Sequence, residues 1–128
     1  MEAILDTCTL IWLCCEPKNL SLKATETIDS VENSLSVSHV SIWEMALKQR
    51  SGKMVFPKPL RRWIFEQRAI WRFEWIPISL DHILRTTELP DHHNDPFDRL
   101  LIAQALKENI PIITPDVYIR QYPVETIW

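Results

Sequence analysis

The stretch from His93 to Asp116 constrains the fold of this chain more than any other. Asp95 and Pro96 are residue types favoured at the N-cap and at the first position of a helix. A mainly apolar run follows and ends at Asn109, a residue type that tolerates the left-handed conformation at a helix end. The stretch therefore predicts a capped helix that is buried on most of its sides, with Asp98 in its first turn.

An acid follows a short apolar run at two places in the chain. Ile112-Ile113 predicts a buried strand just after this helix, and Asp116 lies three residues beyond it. Near the amino terminus, residues 3–5 predict another buried strand, and Asp6 follows as the residue that opens a helix. Both acids are thus expected just past the carboxyl end of a strand.

A third acid is expected after the strand predicted over residues 35–37. Ser41 and Glu44 are three residues apart, as in a capping box, and predict the start of a helix that runs to Gln49. This interpretation places Glu44 in the first helical turn after a strand.

Strands that alternate with helices predict a mainly parallel central sheet covered on both faces, a three-layer α/β/α sandwich. Pro77 favours an edge position for the strand over residues 74–78, since proline cannot donate to a ladder. At 128 residues, we expect a single domain over 1–128. The remaining elements are helices over 21–31, 60–72 and 81–87, and a strand over 124–127.

Composition excludes several function classes. Gly52 is the single glycine, so neither a dinucleotide-binding glycine motif nor a phosphate-binding P-loop is present. The three cysteines lack CxxC spacing, which argues against a zinc site or a disulfide framework. No export signal or apolar run of membrane-spanning length is present, so we expect a cytoplasmic protein with no membrane partner.

The four acids Asp6, Glu44, Asp98 and Asp116 are expected to converge, because sites in parallel sheets form beyond the carboxyl ends of the strands. Each acid alone is explained by helix capping or by the helix dipole. Together they would repel one another unless a cation neutralised them, and hard oxygen ligands suit Mg²⁺ or Mn²⁺. The pattern thus indicates metal-assisted phosphodiester hydrolysis. Thr7, Thr114 and Arg99 are expected at the same edge of the sheet.

The formal net charge is −3, yet residues 48–72 contain eight basic residues and one acid. The candidates for contacting RNA phosphates are Lys53, Lys58, Arg61, Arg62 and Arg68. Trp63 or Trp71 would stack on bases in that interpretation. Alternatively, the aromatic residues pack against the body of the protein, or line a groove that captures an amphipathic helix of a partner protein.

Adjacent histidines at 92 and 93 lack the spacing of helical metal ligands, and we expect them at the surface or at the edge of the site. The cysteines are expected to be small apolar fillers.

Three segments resemble the PIN-domain ribonucleases, specifically the VapC-like toxins of bacterial toxin–antitoxin pairs. They are LDTCTLIW at 5–12, SHVSIWEMALK at 38–48 and HNDPFDRLLIAQA at 93–105. The likeness covers essentially the whole chain, including TPD at 114–116. In one departure, Asn94 stands where the family has a basic residue, which weakens the expectation of local help in binding phosphate.

The resemblance implies a metal-dependent endoribonuclease toxin whose acidic metal-binding quartet is Asp6, Glu44, Asp98 and Asp116. It further implies that Asp95 is a supporting acid, Thr7 and Thr114 position hydroxyl groups or water, and Arg99 supports the site from behind. RNA, including transfer RNA, would be the substrate, with Mg²⁺ or Mn²⁺ as cofactor. A cognate antitoxin would cover the site, and the chain would form a homodimer.

Two alternatives remain open at this point. Asp6 resembles the nucleophile of haloacid-dehalogenase phosphatases, but those enzymes need a second acid two residues on, where this chain has Cys8. The other alternative is a module that binds RNA or protein without cleaving anything.

Overall fold

Five parallel strands form the central sheet of the computed structural model, which describes residues 1–128. The strands are β1 (Glu2–Leu5), β2 (Ser34–Ser38), β3 (Glu74–Ile76), β4 (Ile112–Ile113) and β5 (Thr126–Ile127). Their order in the sheet is β3-β2-β1-β4-β5, and every neighbouring pair is parallel. The prediction of a mainly parallel sheet is confirmed, as is the edge position of the strand before Pro77.

Six helices connect and cover the strands. They are α1 (Thr7–Cys15), α2 (Leu22–Asp29), α3 (His39–Arg50), α4 (Leu60–Trp71), α5 (Leu80–Arg85) and α6 (Pro96–Glu108). None of them combines the length and the apolar character that crossing a lipid bilayer requires.

Apolar cores lie on both faces of the sheet. In β1, Ala3 and Leu5 belong to one core and Ile4 to the other, because successive side chains of a strand point to opposite faces. Ile113 and Ile112 of β4 divide in the same way. The predicted three-layer α/β/α arrangement is therefore confirmed.

Helix α6 begins and ends as its sequence predicts. The Asp95 Oδ1 atom accepts hydrogen bonds from the backbone N–H groups of Phe97 (2.8 Å) and Asp98 (3.4 Å), and Pro96 takes the first helical position. Asn109 ends the helix at φ 56°. All residues from Leu100 to Ala105 are buried, so this helix lies in the interior.

The predicted start of α3 is wrong. Ser38 caps the helix by accepting a hydrogen bond from the Val40 N–H (3.0 Å), so the helix begins directly where β2 ends. Ser41 therefore lies inside the helix as a buried residue, and Glu44 falls in the second turn. Ser38 is the cap because β2 and α3 follow each other without a loop. Glu44 nevertheless remains near the carboxyl end of β2.

Candidate functional site

An acidic cavity of about 470 Å³ opens beyond the carboxyl ends of β1 and β4. Five carboxylate residues line it, namely Asp6, Glu44, Asp95, Asp98 and Asp116. Lys48 is the one basic residue in the lining. The structure therefore brings together all four acids of the expected quartet, with Asp95 beside them.

Asp6 is buried and fixed through both of its carboxylate oxygens. Oδ1 accepts a hydrogen bond from the Thr9 N–H (2.8 Å), which caps α1, and Oδ2 accepts one from the Thr114 hydroxyl (2.5 Å). Burial raises the pKa of this carboxyl, while the hydrogen bonds from Thr114 and Thr9 lower it. A carboxylate held on both oxygens is suited to anchoring a cation and poorly suited to acting as the free nucleophile of a phosphatase.

Thr114 connects Asp6 to Asp116. While its hydroxyl donates to Asp6, it accepts a hydrogen bond from the Asp116 N–H (3.0 Å). Asp116 in turn accepts hydrogen bonds at Oδ1 from the backbone N–H groups of Tyr118 (2.7 Å) and Ile119 (3.3 Å). The expected hydroxyl group at Thr114 thus orients the two acids at the ends of neighbouring strands.

The surroundings of Asp98 strongly raise the pKa of its carboxyl group. Burial, together with the negative charge of Asp95, raises its pKa to about 7, although His93 opposes the rise. The Asp98 Oδ2 atom lies 3.0 Å from the Nε2 atom of His93. The neighbouring acids disfavour the charged form of this carboxyl, and a nearby positive charge would favour it.

Glu44 is the acid whose surroundings best fit a bound cation. Its side chain is only 6% exposed, and Oε2 pairs with the Lys48 Nζ atom at 2.7 Å. Oε1 is buried with no hydrogen-bond partner. An unpartnered buried polar atom costs about 1–3 kcal/mol, so a ligand that satisfies it has a place here. An all-oxygen donor set fits Mg²⁺ or Mn²⁺.

Of two other expected site residues, Thr7 lines the cavity and Arg99 does not. The Thr7 hydroxyl donates to the Ser41 Oγ atom (3.0 Å). Arg99 pairs with none of the four acids. Its guanidinium donates to backbone carbonyl groups of the preceding loop, including those of Thr86 (2.8 Å) and Pro90 (3.0 Å). Arg99 therefore holds the loop that leads into α6.

His93 was expected at the surface or at the edge of the site, and the structure places it against two of the acids. Besides its contact with Asp98, the Nε2 atom lies 3.2 Å from the Asp116 Oδ2 atom. These three side chains place ligand-type atoms within 4.8 Å of one another. The available signal in the sequence was the position of His93 two residues before the helix cap, which brings it close to Asp98.

The basic segment is largely engaged within the chain. Lys58 and Arg62 pair with Glu66, and Arg68 pairs with Glu74. Lys53 and Arg61 form no ion pair, and none of the five predicted RNA-contacting residues lines the acidic cavity.

The structure decides between the two alternatives for Trp63, and it corrects the prediction for two of the cysteines. Trp63 is buried and packs on Phe56 with ring centroids 4.9 Å apart, so it is not available to stack on a base. The prediction that the cysteines are apolar fillers is wrong for Cys8 and Cys15, which are exposed, with Cys8 lining the acidic cavity. Cys14 is half-buried and packs against the core.

A second, apolar groove of about 470 Å³ lies between α3, α4 and the edge strand β3. Trp43 and Phe65 line it and are each 54% exposed. Trp43 also packs edge-on against Phe97 in the first turn of α6, with ring centroids 5.1 Å apart. Since Trp43 precedes Glu44 on α3, the groove and the acidic cavity share this helix.

The chain is similar to known proteins along nearly its whole length. The family model described as PIN domain matches residues 3–125. Ribonuclease VapC22 from Mycobacterium tuberculosis is 26% identical over 130 residues, covering 98% of this chain and 97% of that protein.

Solved structures share the fold. The crystal structure of VapBC2 from Rickettsia felis bound to a promoter DNA fragment matches with a TM-score of 0.69 and 18% identity, over 98% of this chain and 97% of that one. The DNA-bound VapBC from Salmonella typhimurium matches with a TM-score of 0.67 and 17% identity, over 98% and 96%. At these identities the structural likeness speaks for the fold alone.

Proposed function

Because the chain belongs to the PIN-domain family, we propose that it is a metal-dependent endoribonuclease and the toxin of a toxin–antitoxin pair. The observation that carries the proposal is the unpartnered, buried Glu44 Oε1 atom in a cavity lined by five carboxylates. The name of the Mycobacterium tuberculosis relative, a ribonuclease, supports the choice of substrate class.

The proposed roles of the acids follow from their surroundings. Asp6, Glu44, Asp98 and Asp116 would hold Mg²⁺ or Mn²⁺, with Asp6 as the most rigid anchor because both of its oxygens are fixed. Glu44 would orient the attacking water or take its proton. When bound, such an ion supplies an activated water and shields the charge of the scissile phosphate. Asp95 is proposed to support the site while it caps α6.

RNA is the proposed substrate, with transfer RNA within the implied range. Lys53 and Arg61, which have no acidic partner, are the first candidates for contacting phosphates. Lys58, Arg62 and Arg68 would contribute only after exchanging their acidic partners for phosphate.

The antitoxin is proposed to lay an amphipathic helix into the apolar groove at Trp43 and Phe65. Two exposed aromatic side chains in a groove are typical anchors for such a helix. A helix bound there would lie beside Glu44, so that it can obstruct the acidic cavity. The VapBC structures from Rickettsia felis and Salmonella typhimurium support the proposal of an antitoxin partner. The homodimer and the cytoplasmic location implied by the resemblance complete the proposal.

The test is cleavage of total RNA by the purified protein freed of any antitoxin, with Mn²⁺ or with EDTA. We expect fragments with Mn²⁺ only, and none from the Asp98→Asn variant. Asp29→Asn makes the same change at an exposed position outside the cavity and is the matched control. Wild-type protein that binds RNA but yields no fragments with Mn²⁺ would favour the non-catalytic binding module.

A further inference from the structure

His93 touches two proposed metal-binding acids and can play one of two roles there. Its Nε2 atom lies 3.0 Å from the Asp98 Oδ2 atom and 3.2 Å from the Asp116 Oδ2 atom. Nε2 could be a nitrogen ligand to the same cation, which needs its lone pair. It could instead donate a hydrogen bond to the two carboxylates, which needs a proton on that nitrogen.

The other ring nitrogen decides between these roles. The Nδ1 atom of His93 accepts a hydrogen bond from the Asp95 N–H at 3.1 Å. In a neutral imidazole one nitrogen accepts and the other carries the proton, so the proton lies on Nε2. Binding a cation through Nε2 would move the proton to Nδ1, where it would face the Asp95 N–H. That N–H is held in place because Asp95 is the N-cap of α6.

We propose that His93 is a positioning residue that donates its Nε2 proton to Asp98 and Asp116 and is not itself a metal ligand. The inference rests on the proposed metal-dependent function. A carboxylate oxygen can accept a hydrogen bond and bind a cation at the same time, and such outer partners typically contribute 10–100-fold to metal affinity or activity.

Both the N–H and the carbonyl of His93 form hydrogen bonds, which hold the imidazole ring beside the two acids. The Tyr122 hydroxyl accepts hydrogen bonds from the N–H groups of His93 (2.9 Å) and His92 (3.1 Å), and donates to the Pro90 carbonyl (2.7 Å). Arg99 donates to the His93 carbonyl (3.3 Å). Tyr122, which is buried, and Arg99 thus hold His93 in place to donate a hydrogen bond to Asp98 and Asp116.

The test measures Mn²⁺ binding by electron paramagnetic resonance in wild type, His93→Ala and His93→Gln. Glutamine keeps an N–H donor near the Nε2 position, and its amide nitrogen has no lone pair for a metal. We expect about 10–100-fold weaker binding for the alanine variant and wild-type binding within about threefold for the glutamine variant. The spectrum of bound Mn²⁺ should show no directly coordinated nitrogen. His92→Gln, at the exposed neighbour, is the control.

The outcomes separate this inference from the function on which it rests. A nitrogen coupling in wild type that disappears in His93→Gln would make His93 a ligand and overturn the inference, while leaving the metal-dependent function standing. Equal affinity of His93→Ala and wild type would also overturn it. Wild-type protein that binds no Mn²⁺ would overturn both. Thermal unfolding in EDTA establishes that each variant is folded.

Discussion

Replacing Asp98 by asparagine should stabilise the metal-free protein while it abolishes RNA cleavage. Burial raises the pKa of Asp98 from 3.8 to about 7, which means that folding favours the protonated carboxyl. Below about pH 4 the group is protonated in both states and costs nothing. As the pH rises from about 4 to about 7, the unfolded chain loses this proton while the folded protein retains it, and stability falls until the folded carboxyl has ionised too.

The size of the effect follows from the shift. At about 1.4 kcal/mol per pKa unit, the rise from 3.8 to about 7 corresponds to about 4 kcal/mol of stability lost by pH 8.5. Asparagine removes this ionisation, but burying its amide in the cavity has a cost of its own. We therefore expect Asp98→Asn to raise the free energy of unfolding by about 1–3 kcal/mol at pH 8.5 and to leave it nearly unchanged at pH 4.

The assay is urea unfolding in EDTA at both pH values, with thermal unfolding as a second probe. For a chain of this length, the gain corresponds to a rise in melting temperature of about 4 °C per kcal/mol. Asp91→Asn is the control, because the Asp91 side chain is 96% exposed. An asparagine variant that is no more stable than wild type at pH 8.5, or that gains equally at pH 4, would refute the reasoning. A gain confined to high pH would show that this acid is kept at the expense of stability.

Two further predictions concern the loop before α6 and the apolar groove. Tyr122→Phe removes a hydroxyl that forms hydrogen bonds with His92, His93 and Pro90. It should lower the free energy of unfolding in urea by about 1–3 kcal/mol and weaken Mn²⁺ binding. Unchanged stability and affinity would contradict the anchoring role. Phe65→Ala removes an exposed aromatic side chain from the groove and should weaken binding of the cognate antitoxin at least tenfold by calorimetry, whereas Ile70→Ala, at an exposed position outside the groove, should not. Equal affinity of wild type and Phe65→Ala for the antitoxin would contradict the proposed docking site.

Local chemistry in the sequence was enough to predict the helix that carries Asp98. Its cap at Asp95, proline at the first position and left-handed end at Asn109 are all properties of a few consecutive residues. The strand after it was also predictable, because a buried parallel strand is a short apolar run. The order of strands and helices then predicted that acids after separate strands would meet at one edge of the sheet.

The start of α3 was not predictable in the same way, because two serines compete for the cap. Ser38 and Ser41 both precede helix-forming residues, and only the direct junction of β2 with α3 decides in favour of Ser38. Trp63 posed a similar problem. Its aromatic ring suits a base or a core equally well, and the packing of α4 against Phe56 buries it.

By itself, the sequence determined which acids the protein offers and near which strand ends they stand, because those properties depend on residue type and on neighbours in the chain. Only the tertiary structure decided how the acids are held: Thr114 between Asp6 and Asp116, and an orphaned oxygen on Glu44. It also decided that the Nε2 atom of His93 faces Asp98 and Asp116. The contacts of Thr114 with Asp6 and of His93 with Asp116 join residues far apart in the chain, so they exist only once the layers have packed.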